Sequence, residues 1–280
     1  MSYRESLTSE LQWKNFGFSG ASGAKFYVWQ WRVPPILIVI YKILMSAYLI
    51  STLLYNFLTF QSDIPWPAYF TSWTYTLLTT YHVVHAVVVL HHVRTSTCHT
   101  CFSLSLREEH HRPFQKQLET PADETRPVVP SQQQSDDVPL HLIILWIMYG
   151  VCNAMCPIVT CMWYATVATP DDAFLPRELF VHAINSVVVL IDQMVSATPV
   201  RLLHFPFPVV FGLVYYLFSI FYWMADTKHV LYEKVLDWNH PALPFGMIFF
   251  TSCVAVIFHC ISYGIYRGRL AIYYRLVRGN

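Results

Sequence analysis

The sequence predicts an all-α membrane protein, a bundle of six transmembrane helices with both termini cytoplasmic. Three observations carry this. Six long apolar stretches fill most of the chain, 55% of residues are hydrophobic while 12% are charged, and lysine and arginine concentrate on alternate connections. Each stretch holds about 19 to 27 mostly apolar residues, the length a helix needs to cross ~30 Å of hydrocarbon at ~1.5 Å per residue. The bilayer core offers no water to the backbone, so a spanning segment must satisfy its own hydrogen bonds, and helices do so.

In chain order, residues 1–33 mix Gly, Ser, aromatic and charged residues and predict a disordered cytoplasmic arm. Segment Glu10–Phe18 has an alternative reading as a short surface patch through Leu11, Trp13, Phe16 and Phe18. The arm lacks a compact apolar core, so no cleavable signal peptide is expected and the first helix serves as the insertion signal. Helices one and two are predicted at Pro34–Phe60 and Pro67–His92, within 34–92. Residues 93–139 follow as a largely disordered cytoplasmic loop. Their second half is rich in Pro, Gln, Glu, Asp and Ser, too polar to bury enough surface to offset ordering entropy. Helices three to six are predicted at Leu140–Thr166, Leu179–Ala197, Phe205–Met224 and Ala242–Tyr266, within 140–266. The basic tail, 267–280, alternates arginines with Leu270, Ile272, Tyr273 and Leu276. It predicts either a short helix on an anionic leaflet or a frayed helix end.

Charge sets the orientation. Arg4, Lys14, Lys25 and Arg32 precede helix one; Arg94, Arg107, Arg112, Lys116 and Arg126 follow helix two. Arg201 follows helix four, and Arg267, Arg269, Arg275 and Arg278 lie in the tail. The other side carries only Arg177, Lys228 and Lys234, with Lys42 inside helix one. The positive side is cytoplasmic by the insertion rule, which agrees with the even helix count. A plasma-membrane location is expected.

Several classes of chemistry are excluded. There is no phosphate-cradling glycine loop, no His-Glu-x-x-His and no Gly-x-Ser-x-Gly, and glycine is scarce at nine residues. A net charge of +1 gives nucleic acid no purchase. No cofactor is expected. Cys98 and Cys101 have the two-residue gap of zinc ligands, but a structural zinc usually needs a second such pair and only adjacent histidines such as His91, His92, His110 and His111 are near. No metal site is therefore expected, and a reduced loop or palmitoylation at either cysteine is read instead. The seven cysteines lie in helices or on the cytoplasmic side, so no disulfide framework is expected.

Ionisable residues inside apolar stretches are costly and invite explanation. Lys42, His82, His85, Asp192 and His259 form this set. His85 and Asp192 lie at similar depths from the cytoplasmic side, which predicts a buried polar pair.

The order of polar motifs carries a resemblance. Helix two opens Tyr69-Phe70-Thr71-Ser72-Trp73. Helix four onward reads His182-Ala183-Ile184-Asn185-Ser186, Thr198-Pro199-Val200-Arg201, His204-Phe205-Pro206 and Leu236-Asp237-Trp238. This resembles the Rolling stone family of animal multi-pass membrane proteins, named for an insect protein implicated in myoblast fusion. That family is distantly similar to the androgen-induced membrane proteins, six-helix hydrolases of fatty-acid esters of hydroxy fatty acids. The resemblance implies an intramembrane threonine nucleophile at Thr71, with Asn185 where those hydrolases carry the second histidine of a His-x-x-His element and His182 at the first. An amide cannot take a proton from a hydroxyl, so the substitution departs from the hydrolase pattern. Thr71 and His182 lie at nearly equal depth, about 6 Å from the outer side, and Asn185 about one turn deeper. The constellation is read either as a catalytic Thr71–His182 pair or as a polar cluster of Thr71, His182, Asn185 and Ser186 tying helices two and four together.

Two functions compete. The first is a non-enzymatic plasma-membrane protein acting through membrane partners, with Leu231, Tyr232, Trp238 and His240 read either as a small outer docking surface or as the interfacial belt that anchors helix ends. The second is a lipid-ester hydrolase using Thr71. The lipid bilayer is a partner in either case.

Overall fold

The computed structural model describes residues 10–31, 33–34, 36–95, 138–171, 174–228 and 230–278. Cys98, Cys101, His110, His111 and almost all of the predicted disordered loop lie outside the described residues. Within them the chain is helical, and six helices are long and apolar enough to cross a membrane. These are α1 (Ile36–Thr59), α2 (Phe70–Thr95), α3 (Leu140–Met162), α4 (Pro176–Val195), α5 (Pro206–Ala225) and α6 (Ala242–Arg278). Both described chain ends lie at one end of the bundle, where Glu10 and Arg267 approach to 3.8 Å. This is called the terminal end below, and the opposite one the distal end.

Helix α3 is the hub and packs against α2, α4, α5 and α6. Its buried residues Trp146, Tyr149, Cys152 and Cys156 meet Tyr75, Leu78 and Tyr81 of α2. Pro157 within α3 lacks an N–H, leaving the Asn153 carbonyl without its helical donor, and the Ser262 hydroxyl of α6 approaches it at 3.4 Å. Outward faces are apolar, with Ile40, Leu44 and Leu58 on α1 and Phe245, Phe249 and Ile257 on α6 exposed. That is the pattern a lipid environment requires. The described cysteines are all free thiols.

Three expectations are corrected. The described part of the N-terminal arm is docked, not disordered. Gly20 turns the chain with a φ of 71°, and Phe26, 1% exposed, inserts beside Trp146. Tyr27 stacks on His92 at 3.9 Å, and the Arg201 guanidinium donates to the carbonyls of Gly17 and Ser19. The Thr198–Arg201 motif thus staples arm to bundle, with Trp146 donating to the Pro199 carbonyl at 2.7 Å. Second, the tail is neither a separate surface helix nor a frayed end. Helix α6 runs unbroken for 37 residues, about 55 Å against ~30 Å of hydrocarbon.

The end of α4 explains both corrections. A helix leaves its last four carbonyls without intrahelical partners. After Ser196 N–H closes the last helical bond on Asp192, the carbonyls of Gln193, Met194 and Val195 receive the Arg269 guanidinium, Trp31 Nε1–H and Gln30 N–H respectively. Arm and α6 are therefore the cap of α4. The cationic Arg269, 2% exposed, also suits the negative end of the helix dipole.

Third, of the two readings of the loop between α5 and α6, the docking surface of aromatic side chains gives way to the anchoring one. Leu231 and Trp238 are buried, and Tyr232 turns inward. Trp238 Nε1 donates to the Ser219 hydroxyl at 3.0 Å. Of the four residues expected to be displayed, His240 alone is exposed. Buried aromatics with polar handles anchor this loop over the distal ends of the helices.

Candidate functional site

Thr71 sits at the second position of α2, just after the short turn Trp66–Ala68. The start of α2 is held from two sides. The Phe70 N–H, an orphan donor of the first turn, donates to the Tyr232 hydroxyl at 3.1 Å. Tyr215 of α5 donates to the Ala68 carbonyl at 3.0 Å. The Tyr232 hydroxyl also lies within hydrogen-bonding reach of Thr71 and Tyr215, and burial pushes its phenol up to about 12.

His182 arrives from α4, whose turn Leu179–Ala183 is π-helical. A second π-helical turn, Trp163–Val167, ends α3. Such turns are rare and concentrate at functional sites. Here they bring Trp163 and His182 into parallel stacking, ring centroids 3.9 Å apart and planes 2° from parallel. Glu178 approaches His182 Nε2 at 3.3 Å and the Arg177 guanidinium at 2.6 Å. The imidazole is thus fixed in plane by Trp163 and in rotation by Glu178.

Thr71 and His182 face common space. An apolar cavity of about 100 Å³ runs between Met155, Ile158, Gly212, Tyr216, Met247 and Ala255. A polar recess of about 430 Å³ lies at the distal end, bordered by Asn56, Ser62, Arg177, Glu178, Glu233 and Lys234. Thr71, Trp163, Thr166, His182 and Tyr232 line both.

Asn185 does not join them. Its Nδ2 donates to the Val181 carbonyl at 2.8 Å, and its Oδ1 accepts from Ser186 N–H at 2.5 Å and from the Thr160 hydroxyl at 3.1 Å. The Thr160 hydroxyl also contacts the Ser186 hydroxyl at 2.6 Å and the His182 carbonyl. The polar cluster expected between helices two and four therefore ties α3 to α4, with Thr160 as its hub and Thr71 outside it. The reason is local. A wide π turn advances less per residue than the ~100° of an α-helix, so His182 looks into the cavity while Asn185 looks at α3.

The second buried constellation lies toward the terminal end. Lys42 Nζ and Asp192 Oδ1 are 2.5 Å apart, with side chains 1% and 2% exposed. Tyr81 donates to Asp192 Oδ2 at 2.7 Å. His85 does not meet Asp192 directly: Nδ1 lies 3.2 Å from the Tyr81 hydroxyl, and Nε2 is 2.7 Å from the Phe26 carbonyl. A carbonyl only accepts, so His85 carries its proton on Nε2. The expected His85–Asp192 pair is corrected to a Lys42–Asp192 ion pair with Tyr81 between the aspartate and His85. The depth argument applied to Lys42 would have found its partner. Thr160 and Glu178 were not legible, since a helical hydroxyl and a helix-start carboxylate carry no distinctive signal, and Tyr232 was read for the outer loop and not for this site. No group of three or more metal-type side chains gathers among the described residues.

The family expectation can now be tested. A family model described as Protein rolling stone matches residues 120–277, more than half of the chain and spanning α3 to α6. Protein rolling stone of Drosophila melanogaster is 24% identical over 247 residues, covering 85% of this chain and 80% of that protein. No solved structure matches. The match contains the Asn185-Ser186 and Pro199-Val200-Arg201 elements whose packing is described above, and the chain belongs to the rolling stone family.

Proposed function

We propose that this chain is a non-catalytic multi-pass protein of the plasma membrane, with both termini cytoplasmic, working through membrane partners in cell–cell fusion. One observation carries the non-catalytic reading. At the position where the distantly similar hydrolases hold a histidine, Asn185 has both ends of its carboxamide engaged by Val181, Ser186 and Thr160. It neither faces Thr71 nor has a base to offer it. The cytoplasmic termini follow from the arginine-rich terminal end, and the fusion role from the family resemblance. Turnover of a fluorogenic fatty-acyl ester by purified protein tests this. Wild type and Thr71→Ala should both stay at the rate of buffer.

One observation favours a second reading, a lipid-ester hydrolase. Thr71 and His182 line the same cavity, and Glu178 stands behind His182 as the third member of a Thr–His–Glu series. His182 would take the threonine proton as the hydroxyl attacked the ester carbonyl, and Glu178 would hold the resulting imidazolium. Ester turnover lost on Thr71→Ala would select this reading over the first.

A further inference from the structure

We propose that the polar recess and the apolar bore together form a binding site for one single-chain lipid with an uncharged hydrogen-bonding head, of the monoacylglycerol class. The site stands whether or not Thr71 is a nucleophile.

Shape selects the chain. The bore runs from Tyr232 at the distal loop to Ala255, about 13 residues or ~20 Å into α6. Its volume is only about 100 Å³, so it takes a short stretch of one alkyl chain while the rest of the molecule lies in the 430 Å³ recess. A slim apolar passage fits an alkyl chain and excludes ring systems or a second acyl chain. Methionines 155, 162 and 247 on its wall adapt to a flexible occupant.

Charge selects the head. The recess holds Arg177, Glu178, Glu233 and Lys234, two cations against two anions. Arg177 is already paired with Glu178 at 2.6 Å, so a carboxylate or phosphate head finds no surplus positive charge. The neutral groups of Thr71, Tyr232, Thr166 and Asn56 line the walls. Thr166 and Asn56 donate to the Met162 and Thr52 carbonyls and Tyr232 accepts from Phe70 N–H, which leaves oxygen lone pairs and the second Asn56 amide proton for a head group. Hydroxyls and an ester carbonyl are the head chemistry they recognise. With its head at the distal surface and its chain running inward, the lipid keeps the orientation it has in that leaflet.

The full-length protein in nanodiscs is exposed to a monoacylglycerol carrying a chain-end diazirine and an alkyne, irradiated, and mapped by peptide. The expected result is saturable labelling on 155–167 and 247–255. Unlabelled monoolein should compete at least about tenfold better than oleate or lysophosphatidylcholine. A side chain at Gly212 would project into the bore, the nearest side-chain atom being Met155 Cε at 3.9 Å from its Cβ. Gly212→Phe should therefore cut labelling about tenfold while the thermal transition is kept. Labelling is read as binding to the wild-type protein with no turnover required, which separates failure of binding from failure of hydrolysis. Unsaturable labelling on lipid-facing positions outside those peptides, such as Leu44 and Leu58 of α1, would overturn the proposal. So would equal competition by oleate or lysophosphatidylcholine, or full labelling of a folded Gly212→Phe. If that variant does not fold, the wild-type map and competition decide.

Discussion

Lys42 and Asp192, 150 residues apart in sequence, meet as an ion pair inside the apolar bundle and join α1 to α4. Two charges away from water are costly, and what makes them tolerable here is their completeness: Tyr81 donates to the second carboxylate oxygen, and the tyrosine rings of residues 41 and 81 lie 5.4 and 4.9 Å from the ammonium.

Breaking that pair should be worse than removing it. Asp192→Ala leaves a buried ammonium uncompensated and should cost about 3–5 kcal/mol, whereas Lys42→Met with Asp192→Leu should recover most of the loss. Thermal denaturation of the purified variants in one detergent checks the order. A double variant as unstable as the single one would contradict it.

The arm is held by Arg201 through two backbone carbonyls, charge-assisted bonds of about 1.5–3 kcal/mol each before solvent screening. Arg201→Gln should loosen it, and trypsin should then cut after Lys25 several-fold faster without a fall in helix content.

The distal loop is latched by the Tyr232 hydroxyl. A phenol whose folded pKa is raised from ~10 to about 12 stabilises the fold fully below pH 10 and loses that contribution as pH climbs through 12. Tyr232→Phe should cost about 1–2 kcal/mol near neutral pH by orphaning the Phe70 N–H. The gap between variant and wild type should close above pH 11 in thermal scans.

Epitope tags placed at the N- and C-termini should become accessible in intact cells only after permeabilisation. A tag reached without it would reverse the orientation read from the arginines.

The six spans were legible because length and apolarity are enough to define a crossing helix, and the predicted starts of the first, third and last fall within two residues of the observed ones. Where α6 would stop was not legible. Past Tyr266 the sequence turns basic, yet Arg269 is drawn inward to cap α4, and capping of another helix leaves no periodic trace. The docked arm was hidden for the same reason: Gly17, Ser19, Val28 and Phe26 contribute backbone carbonyls, which any residue has. At the candidate site, Thr71 and His182 line the same cavity. Helical spacing failed for Asn185, because the π turn between Leu179 and Ala183 changes which way it faces.

The most direct test of the central claim is reaction of folded, purified protein with a lipid-directed fluorophosphonate, wild type beside Thr71→Ala. A chain whose Asn185 is locked to Thr160 and Ser186 should take up no label in either form. Labelling of the wild type that disappears in Thr71→Ala would contradict that account and make Thr71 a working nucleophile.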